Sequence, residues 1–266
     1  MVDDILAVAK CSESLAVNTY INAQIELKKL RFHTPDQNGK SKCHVMHIGK
    51  KNKLCPTLMV HGTVMGRVTE DSYLGDVISA DGSNSKNISS RVGKGMGIVT
   101  DIMKMLEKVK FGPHYFQTAL LLRESLFLNS IITNSGVWYG LTDVDIKKLE
   151  DLDLSLLRKI LNAPFSVPPE GVYLELGCLN INTLIKAKRV NYLHYLISQS
   201  ESTMLRQFFN TQWKYSSKND WTEQVKTDLK DFGISDEMSE LKCISNLRFK
   251  KLVKMKAKEF AFYSYL

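Results

Sequence analysis

The sequence predicts an α+β protein whose strands come first and whose helices fill the remainder. Three observations carry that prediction: short apolar segments between turn residues over the first eighty positions, a change to a helical period beyond Asp81-Gly82-Ser83, and a proline-rich break at 164–169. Strands repeat with period two and helices near 3.6, so a switch of period marks a switch of element. With 44% hydrophobic and 24% charged residues in 266, the chain can bury one large or two modest cores.

The acidic pair Asp3-Asp4 followed by Ile5-Leu6-Ala7-Val8-Ala9 suits a strand leaving a tight turn. From Ser12 to Leu30 the residues Leu15, Ala16, Tyr20, Ile21, Ala23, Ile25 and Leu27 recur at helical spacing, with Ser12 placed as an N-cap. Asn38-Gly39 marks a turn, and 44–48, 57–60 and 73–79 are strand candidates. Beyond them, 88–109, 114–135 and 144–162 carry a helical pattern, with Pro113 in one gap and Pro164 ending the third helix. Pro164, Pro168 and Pro169 cannot continue a helix, so 164–169 is predicted as a linker. Helical patterning resumes over 182–199, 204–213, 221–232 and 241–263, with no internal repeat. Four regions result: 1–80, 81–163, the linker 164–169, and 170–266.

The net charge of +8 and isoelectric point near 9.1 favour a polyanionic partner, because clustered cations gain affinity by releasing counterions from phosphates. The charge is uneven. Lys40, Lys42, Lys50, Lys51, Lys53 and Arg67 share a stretch without a carboxylate, a second excess runs from Lys86 to Arg123, and a third closes the chain in Arg248, Lys250, Lys251, Lys254, Lys256 and Lys258. Each run reads equally as a solvated face.

Five widely spaced cysteines without a Cys-x-x-Cys pair argue for a reducing compartment, hence an intracellular location, nuclear or cytoplasmic. Cys43, His47, Cys55 and His61 match no common zinc module. The first residues lack the basic and apolar regions of a signal peptide, and the apolar stretch 119–132 is interrupted by Arg123 and Glu124, so no membrane partner is expected. Trp138, Trp213 and Trp221 lie among aliphatic residues at helical spacing and are read as core.

Met1-Val2-Asp3-Asp4 with its apolar continuation resembles the aromatic-x-Asp-Asp hairpin of reverse transcriptases, Met1 standing where relatives carry an aromatic residue. The string Lys40-Ser41-Lys42-Cys43-His44-Val45-Met46-His47-Ile48-Gly49-Lys50 is similar to the segment that follows that hairpin in retroelement polymerases. Tyr73-Leu74-Gly75-Asp76-Val77-Ile78-Ser79 resembles their Tyr-Leu-Gly primer-grip strand. The likeness continues through Asn87-Ile88 and Arg91-Val92-Gly93-Lys94-Gly95, then Leu157 to Pro164 and Tyr173 to Cys178. In this order the motifs identify the chain as similar to the C-terminal part of a reverse transcriptase from a non-LTR, long interspersed element-type retrotransposon. No strand precedes Gly93, Gly95 and Gly97, so they are not a dinucleotide loop but allow close helix packing or close approach to a nucleic-acid backbone.

The resemblance implies a truncated polymerase palm, with short antiparallel strands and a helix, followed by a mostly helical thumb and C-terminal region. It implies two Mg2+ ions in the intact enzyme, with Asp3 the principal ligand and Asp4 its assistant, for two-metal nucleotidyl transfer. Lys42 would lie near the incoming triphosphate, with Lys40 a rival. Tyr73, Leu74 and Gly75 would shape the primer grip. Lys86, Arg91 and Lys94 would meet nucleic-acid phosphates, and the partners would be an RNA template, a DNA primer and the upstream palm and fingers. Family enzymes need a further upstream aspartate that this sequence does not contain, so the chain alone is expected not to polymerise. The alternatives are a non-catalytic basic nucleic-acid-binding helical module, or a relic without activity.

Overall fold

Alternation and turn chemistry yield short strands, and regular apolar repeats yield the helices between and after them. The computed structural model describes residues 13–29, 44–48, 59–60, 63–64, 66–109, 112–217 and 220–265. The chain divides into two compact units, Met1–Asn87 and Ile88–Leu266. Helix content dominates, with three two-stranded sheets among the described residues, which agrees with an α+β class.

In the first unit, α1 spans Glu13–Lys29. Six strands follow: β1 His44–Val45, β2 Met59–Val60, β3 Thr63–Val64, β4 Gly66–Arg67, β5 Glu70–Tyr73 and β6 Asp76–Ser79. β1 pairs with β4 in parallel, whereas β2 with β3 and β5 with β6 are antiparallel. The strand candidate 5–9 and the turn at Asn38-Gly39 lie outside the described residues. The stretch 73–79, expected as one strand, is instead the turning half of a hairpin, with Tyr73 opposite Asp76. Its two linking residues explain the difference: Leu74 has φ +48° and Gly75 φ +86°. Positive φ at both central positions is the type I′ geometry, whose twist matches that of the strands it joins.

The second unit is helical. α2 (Ser85–Glu107) begins in the first unit and continues into the second. α3 (Tyr115–Leu122) runs through a π-helical turn at Arg123–Leu128 into α4 (Asn129–Ile131), and a 3-10 turn follows at Ser135–Val137. Then come α5 (Asp143–Leu161), α6 (Pro169–Leu176), α7 (Ile181–Ser198), α8 (Met204–Lys214), α9 (Trp221–Asp231), α10 (Met238–Cys243) and α11 (Asn246–Tyr265). Thr142 caps α5 through a reciprocal capping box with Asp145, and Asn162 closes it in the left-handed region.

Two cores form. Ile88, Val99, Ile102 and Leu106 of α2 meet Phe127, Ile131, Leu149, Leu156 and Ile185 in the first. Val190, Leu193, Phe209, Val225, Phe249 and Val253 build the second. α7 belongs to both, giving Ile181 and Ile185 to one and Val190, Leu193, Leu196 and Ile197 to the other. Trp138 and Trp221 are buried, as the aliphatic spacing indicated.

Residues 164–169, expected as a linker, lie inside this unit. Pro168 is the N-cap of α6 and Pro169 its first helical residue, a position where the missing N–H is not needed. Val167 packs against the first core, its carbonyl accepts a hydrogen bond from Arg158 Nη2 at 2.9 Å, and Val172 and Tyr173 just beyond are buried in that core. Proline here starts a helix rather than separating two domains.

Gly95 shows why a glycine sits mid-helix. A Cβ there would lie 2.6 Å from Leu152 Cδ2 and 2.9 Å from Ile131 Cγ2, whereas at Gly97 it would meet nothing. Gly95→Ala is expected to destabilise by about 1–2 kcal/mol, overpacking outweighing the gain in helix propensity. Gly97→Ala is expected to stabilise by about 0.5–1 kcal/mol. Paired urea denaturations would read both signs.

Two of the buried arginines each form a fork with a buried aspartate. Arg123, on the π-helical turn, donates to Asp153 through Nε at 2.7 Å and Nη2 at 2.6 Å, and through Nη2 to the Leu179 carbonyl at 3.1 Å. The Tyr173 hydroxyl donates to the same carboxylate at 3.3 Å. Burial alone would lower the Arg123 pKa, but the Asp153 charge and hydrogen bonds more than reverse this. Arg189 forms a second fork with Asp228 at 2.6 and 3.0 Å. There burial holds the Asp228 carboxyl above its ordinary range despite the arginine.

Candidate nucleic-acid interface

The hairpin β5–β6 presents Tyr73, Leu74 and Gly75 at its tip because a two-residue turn leaves no room to fold them back. Leu74 is 65% exposed, and a Cβ on Gly75 would meet nothing within 4 Å. Asn87 braces the hairpin from α2: its Nδ2 donates to Asp76 Oδ1 at 2.9 Å, and its Oδ1 accepts from the Val77 amide at 3.2 Å. Asn87 is itself buried, so the tip is held at its base while its end stays open. Leucine is a poor occupant of the left-handed region, at a cost of about 1–2 kcal/mol, and asparagine is a good one. Leu74→Asn is therefore expected to stabilise the hairpin by about 1 kcal/mol and to slow amide exchange in β5 and β6 about fivefold.

Lys86 stands at the first turn of α2, exposed, with Nζ 3.3 Å from Glu70 Oε2. Glu70 faces Ser79, so this ion pair lies at the open end of the hairpin, away from the tip. An exposed pair of this kind contributes little and is readily exchanged for a phosphate.

Arg91 and Lys94, expected together on one phosphate-facing surface, are parted by the packing of α2. Arg91 follows Ile88 and precedes Gly95 on the buried stripe, is 4% exposed, donates from Nη1 to the Ser130 carbonyl at 2.7 Å and lies 5.1 Å over the Trp138 ring. It also depresses the neighbouring Lys188 pKa, adding to the larger effect of burial. Arg91 is thus an internal brace, and Lys94 alone of the two is exposed.

Asp3, Asp4 and Lys42, with Lys40, lie outside the described residues, so the proposed Mg2+ ligands have no geometry here. Among the described residues no group of three or more His, Cys, Asp or Glu side chains could hold a metal ion. One open cleft of about 450 Å3 is lined by Asp143, Glu150, Asp151 and Glu170 with Lys147 as its cation. Burial pushes the Glu150 carboxyl upward, and the cleft carries the wrong sign of charge for a polyanion.

The terminal basic run is a surface that only the fold makes visible. Phe249, Val253, Ala257 and Ala261 recur every fourth residue and are buried, which seats one face of α11 in the second core. Arg248, Lys250, Lys251, Lys254 and Lys258 are all exposed, and among the described residues none of the five is paired with a carboxylate. The acid on this helix, Glu259, is engaged by Lys256 at 2.8 Å. Charge runs are visible in sequence, but the solvent-facing side is set by which apolar residues find the core.

Among the described residues no helix is long and apolar enough to cross a membrane. No protein-family model, curated protein or solved structure matches the chain.

Proposed function

We propose that this chain is the C-terminal part of an RNA-directed DNA polymerase of the non-LTR retrotransposon type. The observation that carries the reading is the order of three motifs: the Asp3-Asp4 pair, the Lys40 to Lys50 segment and the Tyr73-Leu74-Gly75 triplet. The exposure of Leu74 and Gly75, beside a half-buried Tyr73, on a braced hairpin supports it, since a primer end can be approached only by groups at a surface. The fold in this reading is the remnant of a palm followed by a helical thumb and C-terminal region. In the intact enzyme Asp3 and Asp4 hold Mg2+, which activates the primer hydroxyl and neutralises the transferring phosphate. Tyr73, Leu74 and Gly75 orient the primer, Lys42 approaches the triphosphate, and Lys86 and Lys94 meet phosphates of an RNA template and DNA primer.

The coding DNA immediately upstream of Met1 is expected to supply, in frame, an aspartate-bearing strand and a fingers region. With them joined, magnesium-dependent extension of a primed RNA is expected and Asp3→Ala or Asp4→Ala abolishes it. Extension that survives both substitutions sinks the reading, and robust extension by the 266 residues alone overturns the expectation that they do not polymerise by themselves.

A further inference from the structure

The outward side of α11 remains unexplained by the hairpin or by the buried arginines. Arg248, Lys251, Met255, Lys258 and Phe262 follow one another at intervals of three and four residues and are all solvent-facing, flanked by Lys250 and Lys254, which are also exposed. At 1.5 Å per residue, Arg248 to Lys258 spans about 15 Å of helix. Five cations over that length, without a carboxylate partner among the described residues, form a concentrated positive surface rather than an ion-pair lattice. The C-terminal end adds two aromatic rings, Phe262 at 52% and Tyr263 at 75% exposure, with centroids 6.0 Å apart.

The chemistry of the occupant follows from what the helix has already used. A membrane-surface helix lays a free apolar face among lipid tails, but the apolar stripe of α11 is committed to the core through Phe249, Val253, Ala257 and Ala261. An acidic protein would satisfy the lysines and leave the exposed rings without purpose. Phosphates for the cations and flat bases for the rings are combined in one ligand, a single-stranded nucleic acid. We infer that the outward face of α11 binds single-stranded nucleic acid, with Arg248, Lys250, Lys251, Lys254 and Lys258 on the phosphates and Phe262 and Tyr263 against the bases. The inference stands apart from the polymerase reading, because none of the residues assigned to the metal pair or the primer grip lies on this helix.

Binding of a fluorescent oligouridylate by the full chain tests it. Lys251→Gln/Lys254→Gln/Lys258→Gln is expected to weaken binding about tenfold and to reduce the dependence of log K on log salt by about two, near 0.7 for each lost phosphate contact. Tyr263→Ala is expected to weaken it about fivefold with the salt slope unchanged, the signature of a lost stack. Lys147→Gln/Lys159→Gln/Lys230→Gln removes the same charge from α5 and α9 and is expected to leave both quantities at wild-type values. Absence of binding by the unsubstituted chain, an unaltered slope in the α11 variant, or an equal loss in the α5 and α9 variant overturns the inference. So does preferential attachment to phosphatidylserine vesicles over the oligonucleotide. None of these outcomes touches the polymerase reading, which fails on the upstream DNA and the Asp3 and Asp4 extension assay instead.

Discussion

Asp153→Ala is expected to cost the helical unit about 3–5 kcal/mol, because it strands a buried cation. Asp153 is fully buried, and its two oxygens receive both guanidinium bonds of Arg123 and the Tyr173 hydroxyl. With the carboxylate gone, Arg123 keeps the Leu179 carbonyl but loses the charge that offset its desolvation. For a unit of this size the loss corresponds to a fall in Tm of roughly 6–20 °C. The comparison that isolates the cause is Arg123→Met/Asp153→Leu, which replaces both partners by apolar groups of similar volume and is expected to recover most of the deficit. Equal melting temperatures for the single and double variants would show that packing, rather than an uncompensated charge, sets the cost.

Phe249→Ala is the second large effect, expected at about 3–5 kcal/mol from lost burial and the cavity left behind. Phe249 is fully buried at the start of the stripe that seats α11, and its ring stacks on His194 at 4.2 Å between centroids. His194 in turn holds the Ile244 carbonyl at 2.9 Å through Nε2, so the cavity opens beside a hydrogen bond that fixes the entry to α11. Chemical denaturation of Phe249→Ala beside Phe249→Leu would read the gradation. The leucine variant is expected to retain more than half of the stability that alanine loses, and indistinguishable midpoints would contradict a packing origin.

The helices were legible where an apolar repeat decides them. α2, α5, α7, α8 and α9 fall within a few residues of the stretches their spacing predicts, because each has an inward stripe and a polar remainder. The stretch 241–263, expected as one helix, is instead broken between α10, which ends at Cys243, and α11, which begins at Asn246. α6 was not legible: eight residues opened by Pro168-Pro169 read as a break, when proline at a first helical position is a start. The β5–β6 hairpin escaped because Leu-Gly is not a favoured I′ pair, so a leucine in left-handed geometry hid the turn inside an apparent strand. Arg91 was placed on the surface by its charge, although its spacing from Ile88 and Gly95 puts it on the buried stripe. The Arg123–Asp153 and Arg189–Asp228 forks join residues 30 and 39 positions apart, a pairing that local periodicity does not encode. Of the candidate site, the basic terminal run was visible as composition, but its orientation required knowing which four residues of α11 the core would take.

α7 has a consequence beyond architecture. A rod whose two ends are embedded in different hydrophobic interiors transmits the loss of either interior to the other, since neither can dissolve without exposing the apolar residues of the shared shaft. The basic face of α11 therefore inherits its rigidity from residues far along the chain. A polyanion gripping that face would tighten the whole helical unit, making occupancy of the surface a thermodynamic property of both interiors at once.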